Sequence, residues 1–173
     1  MKICIVNPSR CGSTLLLSVL ANRLKNYRIV YEVLDQQTGL DLLKLKSNLI
    51  FKYQYLWANK PLDGADKYII ADRKDLDAWT YSSYMSFVNH HHHGKIPVGA
   101  NPIYKEEDYQ AHKKNMLKLY NQSWIPERER LLKLGADIVW YEDIKDLYEN
   151  KNIYFATDMM TLKLEKVWSN YAS

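Results

Sequence analysis

Short continuous apolar runs alternate along the chain with stretches whose apolar residues recur at helical spacing. Ile3-Cys4-Ile5-Val6 reads as a strand, and Leu16, Val19, Leu20 and Leu24 then fall on one face of a helix expected to end near Lys25-Asn26. Arg28 to Leu34 is rich in β-branched and aromatic residues and predicts a second strand; Asn48 to Tyr53 predicts a third and Lys67 to Ala71 a fourth. Between them, Leu42 to Lys46 reads as a short amphipathic helix and Pro61-Leu62-Asp63-Gly64 as a turn. Further helices are predicted over 75–88, 105–121 and 123–134, the last stopped by Gly135, ahead of a late strand from Asp137 to Tyr141. Asn89 to Pro102 holds four histidines, two glycines and two prolines and reads as an irregular loop. Alternating strands and helices, with several strands apolar throughout, imply an α/β fold whose mostly parallel central sheet is flanked by helices on both faces. Ligands of such sheets bind at the carboxyl ends of the strands.

Composition narrows the classes. A chain of 173 residues suits one domain over 1–173, and 47% apolar with 25% charged residues is the balance of a packed globular protein, which excludes a disordered one. The formal charge of +4 suits an anionic ligand, but the basic residues are scattered, so no nucleic-acid partner is expected. The two cysteines, Cys4 and Cys11, are too few and too close for a disulfide framework, and a reducing, cytoplasmic setting is expected. Neither a signal-type segment nor an apolar run of membrane-spanning length is evident, so no membrane partner is expected.

The chemistry concentrates first in Asn7-Pro8-Ser9-Arg10-Cys11-Gly12-Ser13-Thr14, a tight loop between the first strand and the first helix. Free backbone N–H groups and the positive end of the helix dipole favour a phosphate or sulfate there. Arg10 adds a fixed cation, and Ser13 and Thr14 add hydroxyl donors. The loop is not a Walker A motif, because Gly12 is followed by Ser13 with no lysine. Cys4 and Arg10 have the Cys-five-residues-Arg spacing of a phosphatase, yet Cys4 falls inside the strand and not at the loop mouth where a thiolate is stabilised. A P-loop-like nucleotide kinase or phosphatase therefore fits poorly.

Pro8 to Leu16 resembles the 5′-phosphosulfate loop of sulfotransferases, most closely the bacterial trehalose-sulfotransferase-like branch, which often carries Arg at the position of Arg10. A second stretch, Arg73-Lys74-Asp75-Leu76-Asp77-Ala78-Trp79-Thr80-Tyr81-Ser82, resembles that branch's 3′-phosphate motif, Arg-Arg-Asp-Leu-x-Ala-x-x-x-Ser. A basic residue at a strand end and a hydroxyl two helical turns later can reach one phosphate between them. Whether Arg73 or Lys74 holds it stays open, since Ser82 lies nine residues from one and eight from the other. Trp140-Tyr141-Glu142-Asp143-Ile144 resembles the family's Tyr-Glu-Asp-Leu, with a structural role at a strand-to-helix corner, and Leu49-Ile50-Phe51-Lys52 resembles a strand that carries a Lys near the sulfuryl group. The resemblance covers about residues 1 to 145 and lacks the Arg-Lys-Gly adenosine loop of the cytosolic enzymes.

That resemblance implies a P-loop-like three-layer fold. It also implies 3′-phosphoadenosine 5′-phosphosulfate as cosubstrate, no required metal, and transfer of a sulfuryl group to a hydroxyl of a small molecule or carbohydrate. Ser9, Arg10, Cys11, Gly12, Ser13 and Thr14 would hold the 5′ end, and Arg73 or Lys74 with Ser82 the 3′-phosphate. Arg10, Glu32 and Lys52 would be catalytic, with Glu32 as the general base and Asp35 or one of His90 to His93 as its alternatives. The chain is short for the family and leaves little length for an acceptor lid, which points to help from a second subunit in a homo-oligomer. A degenerate member of the same fold that binds a nucleotide without turnover is the non-enzymatic alternative.

Two further features have plainer readings. His90-His91-His92-His93 lacks the spacing of a metal site and reads as an acceptor-side loop with incidental metal affinity. Fourteen tyrosines and five tryptophans exceed simple packing needs; Tyr53, Tyr55 and Trp57 alternate near a strand end, either as a stacking wall for an acceptor or as sheet-face packing.

Overall fold

A computed structural model describes residues 1–24, 26–92 and 104–145 of the chain. Five strands form one sheet: β1 (Lys2–Asn7), β2 (Arg28–Val33), β3 (Leu49–Gln54), β4 (Lys67–Asp72) and β5 (Asp137–Trp140). Their order is β2-β3-β1-β4-β5, and every pairing is parallel. β1 is central because it is apolar on both faces. Ile3 and Ile5 pack with Leu16, Val19 and Leu20 of α1 (Ser13–Arg23), while Cys4 and Val6 pack on the opposite face with Phe51, Trp79 and Trp124. Helices thus cover both sides of the sheet, and the α/β three-layer expectation holds. The chain adds β2 and β3 on one side of β1 and then crosses to β4 on the other. The β1–β4 junction is therefore the switch point at which such sheets open a ligand crevice.

Several element limits differ from the sequence pattern, each for a local reason. The short helix is α2 (Gln36–Leu43), not 42–46: Asp35 caps it by accepting from the Thr38 N–H at 2.8 Å, and that cap fixes the start. β3 runs straight into a single turn, α3 (Tyr55–Ala58). α1 stops at Arg23, short of Lys25-Asn26. α4 (Leu76–His92) carries the backbone past Val88, where a loop was expected from Asn89. The side chains of residues 89–92 and all of 93–103, with most of the polyhistidine run, lie outside the described residues.

The helices expected over 105–121 and 123–134 are one rod. α5 (Glu106–Leu119) passes through a π-helical turn (Tyr120–Trp124) into α6 (Ile125–Lys133). Asn121, Gln122 and Ser123 followed by Pro126 look like a boundary in the sequence. The π-turn widens the helix just ahead of Pro126, where a proline ring would otherwise strike the preceding turn, so the rod continues. It also turns Tyr120, Trp124 and Arg128 toward the end of β4. Asp72 there is wholly buried and accepts from the Tyr120 hydroxyl (3.0 Å), Trp124 Nε1 (2.9 Å), Arg128 Nη1 (2.8 Å) and its neighbour's amide, Arg73 N (2.8 Å). A buried carboxylate is tolerable only when saturated in this way. Burial, then the Asp72 charge, pushes the Tyr120 phenol above its ordinary range, keeping it a donor.

Candidate functional site at the carboxyl ends of the strands

The loop after β1 is held in an uncommon backbone path. Ser9, Arg10 and Gly12 have φ of 81°, 54° and 70°. For Ser9 and Arg10 this left-handed conformation costs about 1 to 3 kcal/mol each unless the surroundings impose it. They do. Asn7, fully buried, donates from Nδ2 to the Tyr53 carbonyl (3.2 Å) and accepts from the Ser9 amide (2.9 Å), while Trp79 Nε1 donates to the Ser9 carbonyl (2.8 Å). Gly12 is required sterically as well: a Cβ at this position would lie 2.7 Å from Cδ2 of Tyr141. α1 begins at once, its first intrahelical bond running from Leu16 N to Gly12 O (2.9 Å), and no side chain caps it. The amides of the first turn are thus left without helical acceptors, which suits an anion.

Three of the expected cations, Arg10, Lys52 and Arg73, are held differently around this loop. Arg10 is exposed, and its Nε lies 3.3 Å from Ser82 Oγ, so the first loop and the hydroxyl of the second motif meet directly. Lys52 is 6% exposed and faces α1 beside Ile5, its register partner. Its Nζ lies 3.0 Å from Thr14 Oγ1 and 3.2 Å from Glu32 Oε1. Glu32 reaches that position through a β-bulge. The β2–β3 register shifts between Val30 and Val33, so Tyr31 and Glu32 together stand opposite Lys52. Bulges of this kind re-aim a side chain. Gln54, two residues beyond Lys52 on the same face of β3, donates from Nε2 to the same Glu32 oxygen. Asp35, the alternative base, is occupied as the α2 cap; the bonds from Thr38 lower its pKa.

At the end of β4, Arg73 lies 4.4 Å over the Tyr141 ring, with Nε 3.8 Å from Glu142. The same ring closes on Gly12, so Tyr141 joins the two motifs. Lys74 turns away, its Nζ 3.3 Å from Asp143 and 5.6 Å from the Trp140 ring. Glu142, at the start of the single turn α7 (Tyr141–Ile144), accepts from the amides of Lys74 (3.0 Å) and Asp75 (3.0 Å). That is the strand-to-helix corner role expected of it. Burial works to raise the Glu142 pKa, but the bonds from the amides of Lys74, Asp75 and Glu142 itself, with the Arg73 charge behind them, outweigh it and the net shift is downward. Glu142 thus occupies the two amides just ahead of α4, and within the first turn the Asp75 carboxylate accepts from Ala78 N (2.9 Å).

Other expected residues behave differently. Cys11 is buried, its thiol donates to the Ser9 carbonyl (3.1 Å), and burial, with Asp72 second, pushes its pKa well up; burial does the same to Cys4. Both thiols are enclosed, so neither is presented at the mouth of the loop. Ser13 is likewise buried, whereas Thr14 is exposed. The stacking wall does not form. Tyr53 is buried with its hydroxyl donating to the Lys60 carbonyl, Tyr55 is buried against Trp124, and Trp57 alone is exposed, at 71%. The alternation is broken because Tyr55 leaves the strand for α3. Sequence reasoning also passed over Gln54, Tyr141 as a bridge, Trp79 as the brace of Ser9, and the Asp72 cluster. Only Gln54, at strand spacing from Lys52, carried a readable signal. No family model, curated protein or solved structure matches the chain.

Proposed function

We propose that the protein is a sulfotransferase that transfers a sulfuryl group from 3′-phosphoadenosine 5′-phosphosulfate to a hydroxyl of a small molecule or a carbohydrate. The single observation that carries this reading is the meeting of Arg10 and Ser82 at 3.3 Å, which joins a 5′-type anion loop to a 3′-phosphate-type motif at one strand edge. The resemblance of both stretches to the family's two motifs supports it. So do the uncapped first turn of α1 and the buried Lys52 beside it. Of the two candidate cations for the 3′-phosphate, Arg73 is favoured, because it shares Tyr141 with Gly12 while Lys74 is turned to Asp143. The buried thiols speak against a cysteine phosphatase.

In this reading the protein positions reactants and stabilises charge. Glu32 accepts the acceptor's proton as that oxygen bonds to sulfur. The bond between sulfur and the 5′-phosphate oxygen breaks, and its electron pair leaves on the nucleotide, where Arg10, Lys52 and the loop amides meet the negative charge. The products are the sulfate ester, 3′-phosphoadenosine 5′-phosphate and the proton held on Glu32. A binding module without turnover would share everything but the last role.

The test is a thermal-shift titration with 3′-phosphoadenosine 5′-phosphate against ATP. A ligand at a hundred times its Kd stabilises by about 2.7 kcal/mol. The 3′-phosphorylated nucleotide should shift Tm at lower concentration than ATP does, and the difference should vanish in Arg73→Ala. Equal or better stabilisation by ATP refutes the assignment.

A further inference from the structure

Lys52 is shared between two groups that have opposite uses for it. One side of its ammonium faces Thr14 in the anion loop, and the other is paired with Glu32, which the bulge has turned out of its ordinary strand alternation. Lys52 is nearly buried and Glu32 is half-exposed, so the lysine has few alternatives while the carboxylate has water. Gln54 holds the same carboxylate oxygen as Lys52, so Glu32 would stay oriented if the lysine let go. Among the described residues the amide oxygen of Gln54 is buried and has no hydrogen-bond partner.

We propose that Glu32 competes with an anion in the loop for the Lys52 ammonium, so that filling the loop releases the carboxylate, still held by Gln54, to the acceptor. The competition rests on the sulfotransferase reading for its purpose but not for its existence. An anion at the first turn of α1 lies on the Thr14 side of Lys52, and two negative groups cannot both be fully served by one ammonium. Linkage makes the effect reciprocal: whatever weakens the hold of Glu32 on Lys52 strengthens the anion. Cosubstrate would bind first, and the base would be free only once there is a sulfuryl group to transfer. Gln54 is in this scheme a positioning residue.

The probe is inorganic pyrophosphate, measured by calorimetry at fixed ionic strength on the full chain, with 3′-phosphoadenosine 5′-phosphate in parallel. Glu32→Gln should bind pyrophosphate about two- to fivefold more tightly than the wild type, the size expected for a half-exposed ion pair. Lys52→Met, which keeps the apolar stem, should bind more weakly. In the Lys52→Met background, Glu32→Gln should change nothing. Arg10→Ala should abolish binding, locating the anion in the loop. The proposal is overturned if Glu32→Gln leaves affinity unchanged or lowers it. It is equally overturned if the gain survives without Lys52, because that would be direct repulsion, or if the wild type binds neither probe. Pyrophosphate following this pattern while the 3′-phosphorylated nucleotide binds no better than ATP would sink the sulfotransferase reading and leave the competition standing.

Discussion

Gly12→Ala separates two costs that usually arrive together. At φ +70° an alanine must adopt the left-handed conformation, worth roughly 1 to 2 kcal/mol, and its Cβ must also displace the Tyr141 ring from 2.7 Å. That ring cannot simply swing away, since it lies under the Arg73 guanidinium at 4.4 Å. Overpacking of this kind costs about 1 to 3 kcal/mol. The two together predict a loss of about 2 to 5 kcal/mol. Gly135→Ala provides the control: φ is +81°, but no atom of the described residues lies within 4 Å of the new Cβ, so only the backbone part applies. Urea unfolding followed by far-UV circular dichroism should give both variants the same slope and place Gly12→Ala below Gly135→Ala. Adding Tyr141→Ala should return the contact part of the Gly12→Ala loss. Equal losses in the two glycine variants would refute the close approach of Tyr141 to the loop, and with it the bridge between the motifs.

Two other outcomes follow from the packing. Asp72→Ala removes the acceptor common to Tyr120, Trp124 and Arg128 and should destabilise by about 3 kcal/mol, with Trp124 emission shifting to the red; Asp72→Asn, which keeps an acceptor, should lose less. His112, packed against the Tyr84 and Phe87 rings of α4 and bonded to Ser83, has its pKa lowered by burial. Folding therefore favours its neutral form. The stability it contributes is present above the ordinary imidazole value of about 6.5 and is lost as pH falls through the lower folded value. His112→Gln should flatten the fall in stability below that pH, measured as Tm against pH. An unchanged profile would show that the fall belongs to other groups.

The sheet was readable from the chain because continuous apolar runs such as Ile3 to Val6 have one use, a strand buried on both faces. The loop after β1 was readable because its residue types, glycine and hydroxyls between a strand and a helix, are dictated by backbone geometry. The π-turn was not, since Asn121 to Ser123 and Pro126 carry the same local signal whether a helix ends or widens. That choice was made by Asp72, a residue 48 positions away from Tyr120 that needed donors. The place of Glu32 depends on a bulge, which period-two alternation cannot show. Gln54 and Tyr141 work through partners distant in sequence, so neither announces its contact locally.

The bulge in β2 also bears on self-association. Among the described residues β2 is one border of the sheet, and β5, only four residues long, is the other. An unpaired strand offers its free N–H and C=O groups to any second copy, and a flat, regular border would invite the sheet to continue from one molecule into the next. The extra residue at Tyr31-Glu32 interrupts that row and increases its twist, and a charged side chain sits at the interruption. The irregularity that turns a carboxylate toward the anion loop thus also spoils the template for strand addition. The β2 border is therefore a poor seam for adding a strand from a second copy.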